Sequence, residues 1–447
     1  MNQDPRRIID QSRMSGLQIA AVAITVGLNA LDGFDVLSIS FAAPGISKEW
    51  GIDRGALGVV LSMELIGMAV GSVLLGGMAD KLGRRRMMLG CLAAMAVGMF
   101  MVTTVKGIVE LSVWRLLTGL GIGGMLATIN AVAAEFSSLA RRNLALALMT
   151  IGYPIGAVVG GSIATLLLKG GEWRTVFEFG AIITACFIPL VYLFVPEPIH
   201  FLVEKRPAGA LERINKTLRR MGHPTVESLP EIRADSPKRS VADILKPGLI
   251  RTTLLVTFGY FAHIMTFYFI LKWSPKIVAD MGFAASSAGQ VLVWANVGGA
   301  TGGAIFGLLA QKFDVRRMTI FVLIIAGLAV ALFGAAGATT LTSLSLLACF
   351  SGLFTNSAVV GYYTIFARAF PTHVRATGTG FAIGVGRGGA ALSPIIAGFL
   401  FQAGVGLPGV AIAMAAGSLL SAIALFLLPL RFADTVADPE EAAPAAA

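Results

Sequence analysis

Charge is scarce in this chain. Asp, Glu, Lys and Arg together make 13% of its 447 residues, about half the share of an ordinary soluble domain. A chain kept in solution by a charged surface is therefore excluded. Cysteine is scarcer still. Cys91, Cys186 and Cys349 all lie in apolar runs, and no two stand at metal-ligand spacing. Neither a disulfide framework nor a cysteine metal site is expected. The four histidines, at 200, 223, 263 and 373, are scattered. No Ser/His/Asp array, phosphate loop or His/Cys cluster accompanies them, so no enzymatic activity, metal or organic cofactor is expected. A cleavable leader is not expected either. Met1 to Gly16 is polar with Arg6, Arg7 and Arg13, and the apolar run that follows is too long and carries acids.

What fills the chain is apolar: 56% of it is hydrophobic, with 53 glycines of the kind found where helices approach closely in lipid. About 20 apolar residues carry a helix across a bilayer. Twelve such runs can be marked, at 17–44, 54–79, 87–105, 108–136, 141–168, 173–195, 250–277, 284–311, 317–337, 340–369, 374–402 and 406–430. The expected fold is an all-α membrane protein, with twelve transmembrane helices in two six-helix pseudo-symmetric halves. Its expected parts are an N-terminal segment 1–16, a first half 17–196, a linker 197–249, a second half 250–430 and a tail 431–447. Within the linker, Ala208 to Met221 reads as an amphipathic surface helix.

The net charge is +10, which in a soluble protein would point to nucleic acid. Here the basic residues sit in turns between spans, so the expected partner is the lipid bilayer and no nucleic acid. The N-terminus, the 80–86 turn, Arg141-Arg142, the linker, Lys312, Arg316, Arg317, Arg375 and Arg431 fall on one side. The opposite loops hold only Lys48, Arg54, Lys106, Lys169 and Arg174. The positive-inside rule then places both termini and the linker in the cytoplasm.

The halves repeat. Gly76-Gly77-Met78-Ala79-Asp80-Lys81-Leu82-Gly83-Arg84-Arg85-Arg86 follows the second span, and Gly307-Leu308-Leu309-Ala310-Gln311-Lys312-Phe313-Asp314-Val315-Arg316-Arg317 follows the eighth. Glu135-Phe136 with Arg141 and Ala369-Phe370 with Arg375 match after the fourth and tenth. A two-fold repeat of this kind is expected to hold a substrate near the midplane.

Charged residues inside spans carry the chemistry, because each costs several kcal/mol at that depth. Asp32 and Asp35 are three apart on one helix face. Two carboxylates at low dielectric suit proton loading. Glu64 in span two is a third acid, placed to join that relay or to pair with a cation. Arg115 in span four is placed to neutralise Asp32 or Asp35. Arg387, near the middle of span eleven, suits a substrate carboxylate through its bidentate fork. Lys272 near the outer end of span seven reads either as a snorkelling lysine or as a second anion contact. His263, Asn130 and Asn296, as hydrogen-bonding side chains, and Tyr260, Phe267, Tyr268, Trp273, Trp294 and Tyr153, as ring-stacking ones, are the remaining substrate-contact candidates.

The glycine- and arginine-rich turn at 76–86 resembles the signature loop of the major facilitator superfamily. The span-four run Arg115-Leu-Leu-Thr-Gly119-Leu-Gly121-Ile-Gly123-Gly124 resembles a second motif of that superfamily. Asp32-Gly33-Phe34-Asp35, Gly152-Tyr153-Pro154-Ile155-Gly156 and the run from Pro371 to Gly386-Arg387 resemble its aromatic acid:proton symporter branch, the 4-hydroxybenzoate, protocatechuate and benzoate type. The antiporter Gly-Pro signature of span five is absent. Lys272, where the branch has a neutral polar residue, and Gln311, in place of an acid, are departures.

The resemblance implies a proton-coupled symporter that imports a small aromatic carboxylate across a bacterial inner membrane by alternating access, with protons as the coupling ion. It links Asp32, Asp35 and Arg115 to proton coupling. It sets the Asp80 carboxylate against the N-terminus of span eleven as a gate, with Arg84 and Arg85 beside it and Glu135 paired to Arg141 or Arg142 as a nearby latch. Two rival readings are a carrier of a non-aromatic organic anion, such as an unsaturated dicarboxylate, and a transport-derived membrane receptor.

Overall fold

The computed structural model describes residues 4–230, 241–335, 337, 340–371 and 374–428, apart from the side chains of Asp80, Val241 and Ala376. The expected tail 431–447, with Arg431, lies outside the described residues, as do part of the linker and His373. All regular structure among the described residues is helical.

Among the described residues, sixteen α-helices follow one another: α1 Pro5–Gln11, α2 Gly16–Trp50, α3 Arg54–Leu82, α4 Arg84–Val102, α5 Ile108–Phe136, α6 Arg142–Leu167, α7 Arg174–Phe194, α8 Ile199–Lys205, α9 Ala210–Arg220, α10 Val241–Ile244, α11 Ile250–Asp280, α12 Ala285–Leu309, α13 Val315–Ala335, α14 Leu341–Ala369, α15 Arg375–Gln402 and α16 Leu407–Phe426. Twelve are long and apolar enough to cross a membrane, six before the short helices α8 to α10 and six after them. These are the twelve apolar helices that the sequence predicts. Helix α9 lies within the stretch read as amphipathic and buries Ile214 and Leu218.

Local signals set the helix ends. Ser15 opens α2 with a capping box, reciprocated by Gln18. The helix runs on past the expected end at residue 44, through Pro44, and stops at Gly51. There φ is +59°, a left-handed turn that glycine makes without strain. Asp53 then caps α3 by accepting a hydrogen bond from the Ala56 amide at 2.7 Å.

The chain forms two compact units. Among the described residues, the first holds those up to 230 together with Lys272–Val293, and the second holds 241–271 and those from Trp294 onward. Within the first unit, α3 and α5 pack backbone to backbone. A Cβ on Gly119 would fall on the carbonyl oxygen of Glu64, one on Gly123 on that of Met68, and one on Gly67 on that of Leu116. Helices α2 and α6 meet in the same way, Gly33 against the Tyr153 carbonyl and Gly156 against the Ala30 carbonyl. The second unit repeats the first pairing. Gly298 of α12 lies on the Cys349 carbonyl, and Gly352 of α14 lies on the Ala295 carbonyl. These small-residue seams replace a side-chain layer with direct backbone contact, as lipid-embedded helices require.

Gly119→Val is expected to force α3 and α5 apart. Overpacking a close contact costs about 1–3 kcal/mol, and a backbone neighbour cannot rotate away. A lower melting temperature in detergent than Gly77→Ala, whose site is open, is the check. Equal melting temperatures would show that the seam yields.

Candidate functional site

The close α3–α5 seam decides which charges meet in the first unit. Glu64 lies on α3 at the point where Gly119 of α5 touches its backbone, and Arg115 stands one turn before Gly119. The Arg115 guanidinium is ion-paired with the Glu64 carboxylate, and both side chains are fully buried. Its Nη2 also donates to the main-chain oxygen of Asp35 at 2.9 Å. Nη1 lies 3.2 Å from the Met99 sulfur, and the guanidinium carbon is 5.4 Å from the centre of the Phe177 ring. Arg115, expected to neutralise Asp32 or Asp35, is ion-paired with Glu64 and also acts electrostatically on Asp35. Its hydrogen bond to Asp35 runs through the backbone.

Asp32 and Asp35 are both fully buried on α2. Neither carboxylate oxygen of Asp35 accepts a hydrogen bond among the described residues. Asp35 lies within electrostatic reach of Glu64 and Arg115, and one of its oxygens points towards Gly180 of α7. Asp32 acts electrostatically on Cys91 of α4.

Lys272 does not snorkel. It is fully buried, donates from Nζ to the Val36 carbonyl, and stands 3.7 Å from Glu64 Oε2. That correction has a simple cause: an acid within reach of the ammonium is a better partner than a long path to the interface. Trp273, next to it, is also buried in this unit.

In the second unit, the aromatic side chains of α11 and α14 gather beside Arg387 of α15. The Tyr260 hydroxyl is 3.4 Å from that of Tyr363, and the Tyr260 ring lies 5.4 Å from Tyr362 and 5.2 Å from Phe366. Tyr268, Tyr363 and Arg387 all act electrostatically on the Tyr260 hydroxyl. Gly386 gives that ring its room, since a Cβ there would overlap it. A guanidinium beside several phenol groups can hold a carboxylate and stack or hydrogen-bond an aromatic ring.

His263, expected as a substrate contact, lies among α11, α14 and α16 in the second unit. Its Nε2 donates to the Thr355 carbonyl at 2.8 Å, so its Nδ1 accepts from the Ser418 hydroxyl at 2.9 Å. Both ring nitrogens are engaged. Asn130 donates to the Leu126 carbonyl of its own helix at 2.8 Å and is exposed. Asn296 is buried in the second unit, and Tyr268 is half-buried. Among the described residues, no three His, Cys, Asp or Glu side chains converge as a metal site.

At the turn between α3 and α4, Glu135 pairs with Arg84 at 3.3 Å. This corrects the expected pairing with Arg141 or Arg142. Arg142 instead binds Asp10 of α1 and the Ala134 carbonyl at 3.1 Å, and Arg141 is exposed at the start of α6. Arg85 donates to the Tyr192 carbonyl and lies 4.7 Å over the Tyr192 ring. The Asp80 side chain lies outside the described residues.

Sequence reasoning missed Glu197. Its carboxylate accepts hydrogen bonds from the backbone amides of Arg84 and Arg85 at the N-terminus of α4, where Gly83 supplies no side-chain cap. Burial pushes the Glu197 carboxyl above its ordinary value, against the opposing pull of the two amides and of Arg85 and Arg86. An acid between two prolines just after span six was the signal. The Tyr362-Tyr363 doublet in span ten was a second signal passed over.

Residues 25–292 and again 256–447 match the Major Facilitator Superfamily. The gallate transporter of Pseudomonas putida is 27% identical over 417 residues, covering 91% of this chain and 90% of its own length. The 3-(3-hydroxy-phenyl)propionate transporter of Escherichia coli (strain K12) is 29% identical over 91% of this chain and 94% of its own length. The 4-hydroxybenzoate transporter of Pseudomonas putida is 28% identical over 87% of each. Among solved structures, the inward open xylose transporter XylE from E. coli has a TM-score of 0.72. It is 14% identical and covers 94% of this chain and 98% of that one, so this likeness speaks for the fold alone. The relatives named for aromatic acids agree with the branch that the span-one, span-five and span-eleven motifs resemble. Matched by both of its halves and by relatives along almost its whole length, the chain is a multi-pass membrane transporter and belongs to the Major Facilitator Superfamily.

Proposed function

We propose that this transporter imports a small aromatic carboxylate together with protons, by alternating access, across a bacterial inner membrane with both termini in the cytoplasm. The observation that carries the proton half of this reading is Asp35, a fully buried carboxylate with no hydrogen bond among the described residues, beside the Arg115–Glu64 pair. An ionised carboxylate in that setting costs several kcal/mol, and a proton removes the cost. The names of the relatives support the substrate class.

In the cycle we infer, a proton loads on the Asp32/Asp35 pair from outside. The substrate carboxylate docks on Arg387, with its ring among Tyr260, Tyr268 and Tyr363. The neutralised acids then permit the change of access. Low proton activity inside releases the proton and afterwards the anion. Purified protein in proteoliposomes tests this: an acid exterior is expected to drive accumulation of labelled 4-hydroxybenzoate, and a protonophore to abolish it. Uptake competed by fumarate but not by benzoate would replace the aromatic reading. Ligand binding with no net flux would leave a receptor.

The Arg84–Glu135 pair and the Glu197 cap are proposed to form a latch at the cytoplasmic end of the first unit, with Asp80, Arg85, Arg141 and Arg142 in the same region. A partly exposed pair is worth up to about 1 kcal/mol, roughly fivefold in a rate. Glu135→Gln is therefore expected to slow turnover about fivefold with near-normal affinity, read from uptake kinetics beside equilibrium binding. A fall in affinity with unchanged turnover would move Glu135 from latch to binding site.

A further inference from the structure

The last span of each half ends in the same way. In the first unit, α7 closes on Tyr192, Leu193 and Phe194, all exposed, with Tyr192 at 60%. Arg85, at the start of α4, donates to the Tyr192 carbonyl and lies over the Tyr192 ring. Arg220, at the end of α9, donates to the Leu193 carbonyl at 2.8 Å. In the second unit, α16 closes on Phe426 and Leu427, 72% and 50% exposed. Arg316, at the start of α13, donates to the Leu425 carbonyl at 2.8 Å and to the Phe426 carbonyl at 2.6 Å. Arg251, at the start of α11, donates to the Leu427 carbonyl at 3.4 Å. Arg85 and Arg316 hold the same place in the repeated loops 76–86 and 307–317.

A carbonyl engages one or two of the five donors of an arginine, and it offers a dipole rather than a charge. Among the described residues, no carboxylate forms an ion pair with any of these four guanidiniums. Glu197 acts electrostatically on Arg85, but its carboxylate is held by the amides of Arg84 and Arg85. Each pair of cations is thus pinned at a helix end, beside exposed apolar side chains, with its charge unmatched. A phosphate diester suits the guanidiniums, and acyl chains suit the apolar side chains. A free phosphate would use only the first of these.

We propose that each half carries a site for one anionic phospholipid, its phosphate on the two arginines and its acyl chains along the exposed end of α7 or α16. The positive-inside rule assigns the loops with these arginines to the cytoplasmic face, so the lipid belongs to the inner leaflet. The site concerns the bilayer and not the cargo.

Native mass spectrometry of the purified chain in detergent, titrated with dioleoyl phosphatidylglycerol or dioleoyl phosphatidylcholine, counts the bound lipid. Wild type is expected to retain two phosphatidylglycerols and to hold phosphatidylcholine more weakly. Arg220→Gln should weaken one of the two about fivefold, the roughly 1 kcal/mol that one basic residue contributes at an anionic surface. Arg251→Gln should weaken the other, and the double variant both. Arg220 and Arg251 are exposed, so these changes spare the packing. Arg7→Gln, in an exposed arginine of α1 that touches neither helix end, loses the same charge and should leave both sites unchanged.

Equal binding of the two lipids by wild type, or an equal loss in Arg7→Gln, overturns the proposal. The melting temperature should rise with phosphatidylglycerol and not with sn-glycerol 3-phosphate. An equal rise with both would leave an anion site without a lipid, which also overturns it. None of these readouts involves transport, so a failure to accumulate 4-hydroxybenzoate would strike the aromatic-acid reading alone.

Discussion

Asp35→Asn is expected to abolish proton-driven accumulation while leaving substrate exchange across the membrane intact. Asparagine keeps the size and planar shape of the side chain, so packing beside Gly180 and Phe34 is preserved. It cannot bind or release a proton. One pH unit is worth about 1.4 kcal/mol per coupled proton, so a gradient of about two units drives roughly a hundredfold accumulation through one proton. In the variant the ratio should fall to about one. Counterflow of labelled against unlabelled 4-hydroxybenzoate should persist, because a permanently neutral side chain mimics the loaded state. An Asp35→Asn protein that still concentrates substrate under the gradient would remove Asp35 from the coupling path. One that loses exchange as well would make it a structural or binding residue.

Arg387→Ala is the second large effect. The guanidinium is half-buried on α15 beside Tyr260 and is proposed to receive the substrate carboxylate. Truncating one partner of a buried charge pair costs about 2–5 kcal/mol, and the lower end is more than tenfold in affinity. The dissociation constant for 4-hydroxybenzoate, measured by calorimetry, should rise about a hundredfold. Arg387→Lys keeps the charge but not the planar fork, so it should recover only part of the loss. The melting temperature without ligand separates binding from folding. If Arg387→Ala binds normally and melts early, the arginine is a structural partner in the second unit.

The helices were legible in the sequence because crossing a bilayer demands long apolar runs, and turns such as 80–86 interrupt them with charge. The repeat was legible for the same reason, through the matched loops at 76–86 and 307–317. The site was legible in depth but not in partnership. Counting residues along span four puts Arg115 at a level with buried acids. It does not say which helix its guanidinium faces, and the answer was Glu64 of α3. The clue lay in Gly119 and Gly123, whose four-residue spacing makes a flat face against α3. The partner of Lys272 was not legible, because distance from a span end says nothing of a carboxylate one helix away. Glu135 was assigned the nearest arginines in sequence, while Arg142 was already held by Asp10 of the N-terminal helix.

The seam between α3 and α5 also has a mechanical meaning. Two helices in direct backbone contact have no layer of side chains to slide on, so they bend and tilt as one girder. Glu64 and Arg115 are riveted to that girder, and no swing of it can pull them apart. Lys272 comes from another member, and Pro275 three residues on removes one of the backbone bonds that stiffen α11. Of the two cations on Glu64, Arg115 is therefore built to stay and Lys272 is mounted where the frame can flex.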